Sequence, residues 1–147
     1  MRKVNIGVIG AGGIAKRRSI PGMINAKNVK VVAVMDVIGA KEIADEFKID
    51  KYYEKEEDLV KDKEVECVYI ASPAFLHLKH IKLSAENGKH ILCEKPLCIN
   101  LKEGKKAVEI CKKNNVFIQE GYMMKFHGAH KKIKELIEKG KLGRVVY

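Results

Sequence analysis

The feature that most restricts the fold of this chain is a strand that runs directly into a glycine turn. Val4-Asn5-Ile6-Gly7-Val8-Ile9 is β-branched and apolar at most positions, and Gly10-Ala11-Gly12-Gly13-Ile14-Ala15 follows with no spacer. A G-x-G-x-x-A run in this place belongs at a sharp strand-to-helix turn. Gly10 permits the tight exit from the strand, Gly12 lacks the Cβ that would obstruct a pyrophosphate, and Ala15 lets the following helix pack closely on the sheet. The backbone N–H groups around Gly13 and Ile14 then sit at a helix N-terminus, which favours an anion. The expected ligand is therefore a dinucleotide.

The rest of the chain alternates between two kinds of segment. Val29–Met35, Val65–Ile70, His90–Cys93 and Val116–Gln119 read as further strands, with a short one at Tyr52-Tyr53. Several are apolar at nearly every position, as strands buried on both faces of a parallel sheet must be. Ile38–Phe47, Glu56–Lys61, Leu76–Asn87 and Leu101–Asn114 carry helical spacing. The apolar stripes are Ile43/Ala44/Phe47 in the first, Leu76/His80/Leu83/Asn87 flanked by Ile81 and Ala85 in the third, and Leu101/Ala107/Val108/Cys111 in the last. Asn87-Gly88 and Asn114-Asn115 suit helix C-termini. This alternation predicts an α/β fold with a doubly wound parallel sheet and right-handed crossovers. Residues 1–121 form the expected nucleotide-binding domain. In residues 122–147 the pattern changes: a helix over Phe126–Lys139 capped by Gly140, a turn, and a strand beginning at Arg144–Tyr147 with no partner in view. That segment reads as the start of a second α+β domain.

Charge and cysteine content narrow the function classes. The formal charge is +10, from 29 basic and 19 acidic residues. Only Arg2, Arg17, Arg18 and Arg144 are arginines, whereas nucleic-acid readers lean on arginine for bidentate contacts. The lysines alternate with glutamates, as in Lys102-Glu103-Gly104-Lys105-Lys106, so the excess reads as a solvated surface and no nucleic-acid partner is expected. Cys67, Cys93, Cys98 and Cys111 form no C-x-x-C pair, so reduced structural thiols are expected and no metal site. With no apolar run long enough for a span and no leader-like start, a cytoplasmic protein without membrane contact is expected.

Three further segments fall at the carboxyl ends of predicted strands, where open parallel sheets bind ligands. Asp36 ends the Val29–Met35 strand about twenty residues beyond the glycine turn, where an acid meets a ribose 2′-hydroxyl. The alternative is a helix N-cap before Ile38. A carboxylate there repels a 2′-phosphate, favouring NAD over NADP, while Lys16, Arg17 and Arg18 leave NADP tolerable. Ser72-Pro73 can approach a cofactor or serve as a loop and helix cap. Glu94-Lys95-Pro96 admits two readings on its residues alone: a lysine for proton transfer with Glu94 orienting it or contacting ribose, or a surface ion pair before a turn proline.

Taken together, these segments resemble the glucose–fructose oxidoreductase/inositol dehydrogenase (Gfo/Idh/MocA) family. The resemblance rests on Gly10–Ala15, on Ser72-Pro73 with His77, on Glu94-Lys95-Pro96, on Gly121-Tyr122-Met123-Met124-Lys125-Phe126-His127 and on Gly140-Lys141-Leu142-Gly143-Arg144. It covers essentially the whole chain. It departs at Ala74, where the family commonly has Asn, at Lys125, often Arg, and at Gly128, often Pro. The resemblance implies a Rossmann fold and an NAD(P)-dependent dehydrogenase moving hydride to or from a hydroxyl-bearing carbon of a sugar, cyclitol or related polyol. It implies Lys95 as the catalytic lysine on the substrate hydroxyl, with the Lys95–Pro96 bond cis. Gly10, Gly12, Gly13, Ile14, Asp36, Ser72, Pro73, Glu94 and Lys95 would hold the cofactor. Tyr122 would line the nicotinamide end, and His77 would either touch the cofactor or pack in the core. Family members are more than twice this length. Their second domain supplies a histidine and often forms an oligomer interface, so a homo-oligomer is implied for the intact protein. The present residues alone are expected to bind cofactor without efficient turnover. A non-catalytic nucleotide-sensing module is the competing reading, and a basic nucleic-acid-binding protein the distant third.

Overall fold

Strands apolar on both faces need cover on both faces, and the arrangement of the chain supplies it. The structure, a computed structural model, describes residues 2–146. Strands β1 (Val4–Ile9), β2 (Val29–Met35), β3 (Lys51–Tyr53), β4 (Cys67–Ile70), β5 (His90–Cys93) and β6 (Ile118–Glu120) form one parallel sheet in the order β3-β2-β1-β4-β5-β6. Among the described residues six α-helices accompany them: α1 (Ile20–Asn25), α2 (Ala40–Phe47), α3 (Glu56–Lys61), α4 (Ala74–Glu86), α5 (Leu101–Lys113) and α6 (Gly128–Glu138).

Two apolar cores lie on the two faces of the sheet. Ile6, Val8, Val31 and Val34 pack with Ala15, Ile20, Ile43 and Ala44, so the first crossovers cover this face. Ile9, Val32, Met35, Val68 and Ile70 pack with Leu59, Ile81, Ala85, Ala107 and Cys111 from α3, α4 and α5. Burying a side chain such as Ile81, which has no exposed surface, contributes about 1.5–3 kcal/mol. The sidedness of β2 changes along its length because the register jumps from Ile6↔Val31 to Gly7↔Ala33. Val32 is the extra residue of a bulge, and it joins Ala33 in the second core.

Element boundaries moved where local hydrogen bonding competed with the apolar pattern. Helix α2 begins at Ala40 rather than Ile38, because Gly39 adopts φ +74 and leaves Val37 and Ile38 exposed. Strand β4 begins at Cys67, since the Val65 N–H turns back to Asp62 O. Strand β6 begins at Ile118, because the Val116 N–H closes the end of α5 on Cys111 O. The buried stripe of α4 is His77, His80, Ile81, Ser84 and Ala85: His80, Ile81 and Ala85 fall where predicted, whereas Leu76 and Leu83 are only half-buried and Asn87 is exposed. In α5 only Ala107 and Cys111 of the predicted stripe are buried; Leu101 and Val108 are exposed.

Beyond Gly121 the chain forms a short 3₁₀ turn, Met123–Phe126, and then α6, which buries no residue. Gly140 caps α6 at φ +66, with Lys141 N–H donating to Leu136 O. The strand predicted from Arg144 is a correction: residues 144–146 are not a strand, and Val145 and Val146 are exposed without a pairing edge. Tyr147 lies outside the described residues. Among the described residues no helix is long and apolar enough to cross a membrane.

Candidate functional site

The strand order reverses at β1, which lies between β2 and β4. The loops leaving these strands diverge there and open a crevice at the carboxyl edge of the sheet. The glycine turn is held in the crevice by backbone bonds: Gly10 and Ala11 N–H both donate to Met35 O, at 2.9 and 3.0 Å. Gly10 has φ +77, and a Cβ on it would lie 2.6 Å from Ser72 N. The glycine is required twice, by its left-handed conformation and by the backbone of the β4 loop pressed against it.

Asp36 leaves β2 and turns its carboxylate back to this loop. Its Oδ2 accepts from Gly12 N–H at 2.9 Å, and its Oδ1 accepts from Ile38 N–H at 3.3 Å. A Cβ on Gly12 would sit 3.2 Å from Oδ2, so a side chain there would crowd the carboxylate. Asp36 is not the N-cap of α2, whose cap position is Gly39. The segment after Ile14 is a π-helical turn, Ala15–Ser19, which passes directly into α1.

A cavity of about 580 Å³ runs between these elements, lined by Gly10, Gly12, Gly13, Asp36, Ser72 and Pro73, among others. A second cavity of about 310 Å³ shares Ala71 and Ser72 with it and continues past Ile14, His77, Glu94, Lys95 and Met123. The two together bring the glycine turn, the Ser72 loop and Lys95 to one cleft. An extended dinucleotide fits this set: a turn with Gly10 and Gly13 left-handed and no side chain at Gly12, an acid at the end of β2, and cavities along the strand ends. Among the described residues no group of His, Cys, Asp and Glu is arranged to hold a metal.

Lys95 is exposed at the mouth of the second cavity, and the Lys95–Pro96 bond is cis. Its loop is held from three sides. Glu94 accepts from Lys95 N–H at 3.2 Å through Oε2 and from Tyr69 Oη at 2.6 Å through Oε1. Because the Tyr69 proton faces a carboxylate, Ser19 Oγ, 2.7 Å away, donates to the Tyr69 oxygen. Burial, and then the bond to Glu94, push the Tyr69 phenol well above its ordinary range. Leu97 N–H donates to Glu120 Oε1 at 2.9 Å. His77, fully buried, lies between the two functional loops. Its Nδ1 is 2.9 Å from Pro96 O, and its Nε2 is 2.8 Å from Ser72 O. It packs as a core histidine that ties the Ser72 turn to the Lys95 loop. Tyr122 is exposed and lines neither cavity; its neighbour Met123 does.

Some site residues carried no local signal in the sequence. Glu56, Lys79 and His80 line the larger cavity. Lys79 pairs with Glu56 Oε1, and that bond holds the Glu56 carboxyl below its usual range. His80 is buried, and its desolvation holds the imidazolium form below the ordinary histidine range. Glu56 and His80 stand 24 positions apart on separate helices, and no periodicity links them.

Comparison with known proteins agrees with the geometry. A family model described as an oxidoreductase family with an NAD-binding Rossmann fold matches residues 4–122. A scyllo-inositol 2-dehydrogenase (NAD(+)) from Bacillus subtilis is 32% identical over 147 residues, covering 99% of this chain and 43% of the relative. The crystal structure of scyllo-inositol dehydrogenase from Lactobacillus casei with NAD(H) and scyllo-inositol superposes with a TM-score of 0.88 at 25% identity, over 97% of this chain and 43% of that one. A 3-ketoreductase from Actinomadura kijaniata, in complex with NADP and TDP-benzene, superposes with a TM-score of 0.87 at 26% identity, over 95% and 43%. The chain thus spans less than half the length of these proteins. With the glycine turn, the acid after β2 and the Glu-Lys-Pro loop in one cleft, and the family model matched from the first strand to the end of the sheet, the chain belongs to the Gfo/Idh/MocA oxidoreductases as their NAD-binding Rossmann domain.

Proposed function

We propose that this chain is the cofactor half of an NAD-dependent dehydrogenase acting on a hydroxyl-bearing carbon of a sugar, cyclitol or related polyol. The observation that carries the reading is a pair of adjoining cavities: one lined by Asp36 and the glycine turn, the other by Lys95, with Ala71 and Ser72 common to both. Gly10, Gly12, Gly13 and Ile14 would hold the pyrophosphate, Asp36 the adenosine ribose, and Ser72, Pro73 and Glu94 the remainder. The choice of NAD rests on Asp36 and on what surrounds it. Val37 and Ile38, which follow it, are apolar, and Lys16 is paired with Glu46 at 2.7 Å instead of facing the carboxylate. A 2′-phosphate would meet the Asp36 carboxylate, with Arg17 and Arg18 the cations left to offset it.

Nicotinamide, when bound, supplies the hydride acceptor. The chain's own residues then orient the alcohol and manage its proton. Lys95 would hydrogen-bond the substrate hydroxyl and assist removal of its proton to the acid–base histidine, while the hydride would pass to the nicotinamide. His77, Glu94 and Glu120 hold the Lys95 loop in register with the Ser72 turn. In this reading the acid–base histidine belongs to a second domain, domain 1–121 binds cofactor, and residues 122–147 lead onward. The 147 residues bind NAD without efficient turnover, and the intact protein is a homo-oligomer.

Calorimetric titration with NAD and NADP tests the first part: NAD binds more tightly, and absence of binding by either at about 1 mM, well above typical working affinities, refutes it. Lys95→Met in the protein carrying the second domain tests the second. Dehydrogenation of a polyol panel is expected to vanish while NAD still binds. Unchanged activity would instead indicate a nucleotide-sensing module.

A further inference from the structure

The larger cavity carries a polar chain of which the proposed cofactor site uses only Ser72. Ser72 Oγ lies 2.8 Å from His80 Nδ1, and His80 Nε2 lies 3.6 Å from Glu56 Oε1. All three residues line the cavity that begins at the glycine turn. They come from three elements, the β4 loop, α4 and α3, so the fold and not local sequence assembles them. His80 is 4% exposed, and Lys79 also sits on Glu56 Oε1.

We infer that Glu56 and His80 set the hydrogen-bonding sense of Ser72, making its hydroxyl oxygen a pure acceptor toward a bound dinucleotide. The argument is one of proton counting. A neutral imidazole has one N–H and one lone pair. A carboxylate facing Nε2 keeps the proton there, which leaves the lone pair on Nδ1. Ser72 must then donate its only proton to Nδ1, and its remaining lone pairs face the cavity. The ring is neutral at neutral pH because burial opposes its charge, against the pull of Glu56; Lys79 and His77 on the same helix add to the opposition. Ser72 Oγ therefore welcomes a donor, such as a ribose hydroxyl or an amide N–H, and disfavours an acceptor-only phosphate oxygen. Ser72 N packs against the Gly10 position, so this preference bears on any ligand lying along the glycine turn. His80 and Glu56 are thus positioning residues for cofactor selection, acting through Ser72. The inference rests on the dinucleotide reading of the cleft only for the identity of the ligand.

Two measurements test it separately. Nitrogen NMR of the ligand-free chain should show His80 as the Nε2–H tautomer at about pH 7.5, with the Nδ1 resonance displaced by an accepted hydrogen bond. An Nδ1–H tautomer overturns the inference. Calorimetry with NAD should then show Ser72→Ala and His80→Phe each weakening binding by about fivefold to tenfold, the scale of one net hydrogen bond. The double variant should be no weaker than either single one, because the two residues act as one unit. His80→Asn, which keeps an acceptor near the Nδ1 position, should recover most of the loss. His80→Phe or Ser72→Ala affinity within about twofold of the wild type, or full additivity of the two losses, overturns the inference. Should the buried His80→Phe variant not fold, Ser72→Ala and the wild-type spectrum decide. Failure of the wild type to bind NAD would refute the cofactor reading and the ligand half of this one, while the tautomer still decides the relay.

Discussion

Replacing Gly10 with alanine is expected to destabilise the domain and to loosen its cofactor cleft together. Two costs can be worked from the structure. Gly10 holds φ +77, and placing an L-residue in that region costs about 1–2 kcal/mol. The new methyl would lie 2.6 Å from Ser72 N, 2.8 Å from Ala71 C and 2.8 Å from Ser72 Cα. These are backbone atoms of a loop tied to His77 and His80, not the tip of a flexible side chain, so relief requires moving the β4 loop, at about 1–3 kcal/mol. The sum, about 2–5 kcal/mol, is a large share of the ~5–15 kcal/mol that holds a typical domain. With a urea slope of about 2 kcal/mol per molar, the unfolding midpoint should fall by about 1–2.5 M. Gly104→Ala is the matched control: its Cβ meets nothing within 4 Å inside α5, and it should stabilise by about 0.5–1 kcal/mol. A Gly10→Ala midpoint within about 0.3 M of the wild type at unchanged slope would refute the packing argument.

Asp36→Ala should weaken NAD binding by about tenfold and shift the NAD/NADP preference toward NADP by at least as much, read by calorimetry; an unchanged ratio would remove Asp36 as the discriminating group. His77→Ala should cost about 3–5 kcal/mol in urea unfolding, because it leaves a void and removes the ring whose one N–H can serve either the Ser72 or the Pro96 carbonyl; a loss below about 1 kcal/mol would show that the two loops hold their places unaided. Burial pushes the Cys67 thiol up to about 11 and the Cys93 thiol up to about 12. Both folded values lie above the unfolded one, so their contribution to stability is complete below about pH 8.5 and is lost as pH rises from there toward the folded values. Urea midpoints should fall accordingly in alkali, and a thiol reagent at neutral pH should reach the buried Cys93 and Cys111 only on unfolding. Reaction of all four thiols at one fast rate in the native protein would contradict this.

The parallel sheet was legible because its central strands leave little choice. Val31 to Met35 is apolar at every position and buried at every position, and only a strand covered on both faces accepts that run. The glycine turn was legible because its demands are local: a backbone conformation and a missing Cβ. Helix starts were less so. Ile38 looks like the first turn of α2, but Gly39 in a left-handed conformation decides the start, and no apolar count reports that. The buried line of α4 is shifted from the apolar stripe because it includes the polar His77 and Ser84 beside His80. Their burial follows from loops and helices distant in sequence, which satisfy their polar atoms. The same reason hid the Ser19–Tyr69–Glu94 chain and the Ser72–His80–Glu56 chain. Each joins residues on separate elements, and single-sequence spacing carries no trace of such meetings. The terminal strand was overread: Arg144-Val145-Val146 has the right residues, but a strand also needs a neighbour.

The strand order has a consequence for the growing chain. Strand β1 precedes its β2 partner by about twenty residues but its β4 partner, Cys67–Ile70, by nearly sixty, so its second edge can be filled only after β4 has emerged. During that interval an apolar edge stands open to the wrong neighbour. The same delay governs the ligand cleft, because the Ser72 loop that closes against Gly10 is synthesised some sixty residues after it. A nascent chain carrying the complete glycine turn thus has half a binding site, and cofactor present during translation can reward only chains that have already joined the two halves of the sheet.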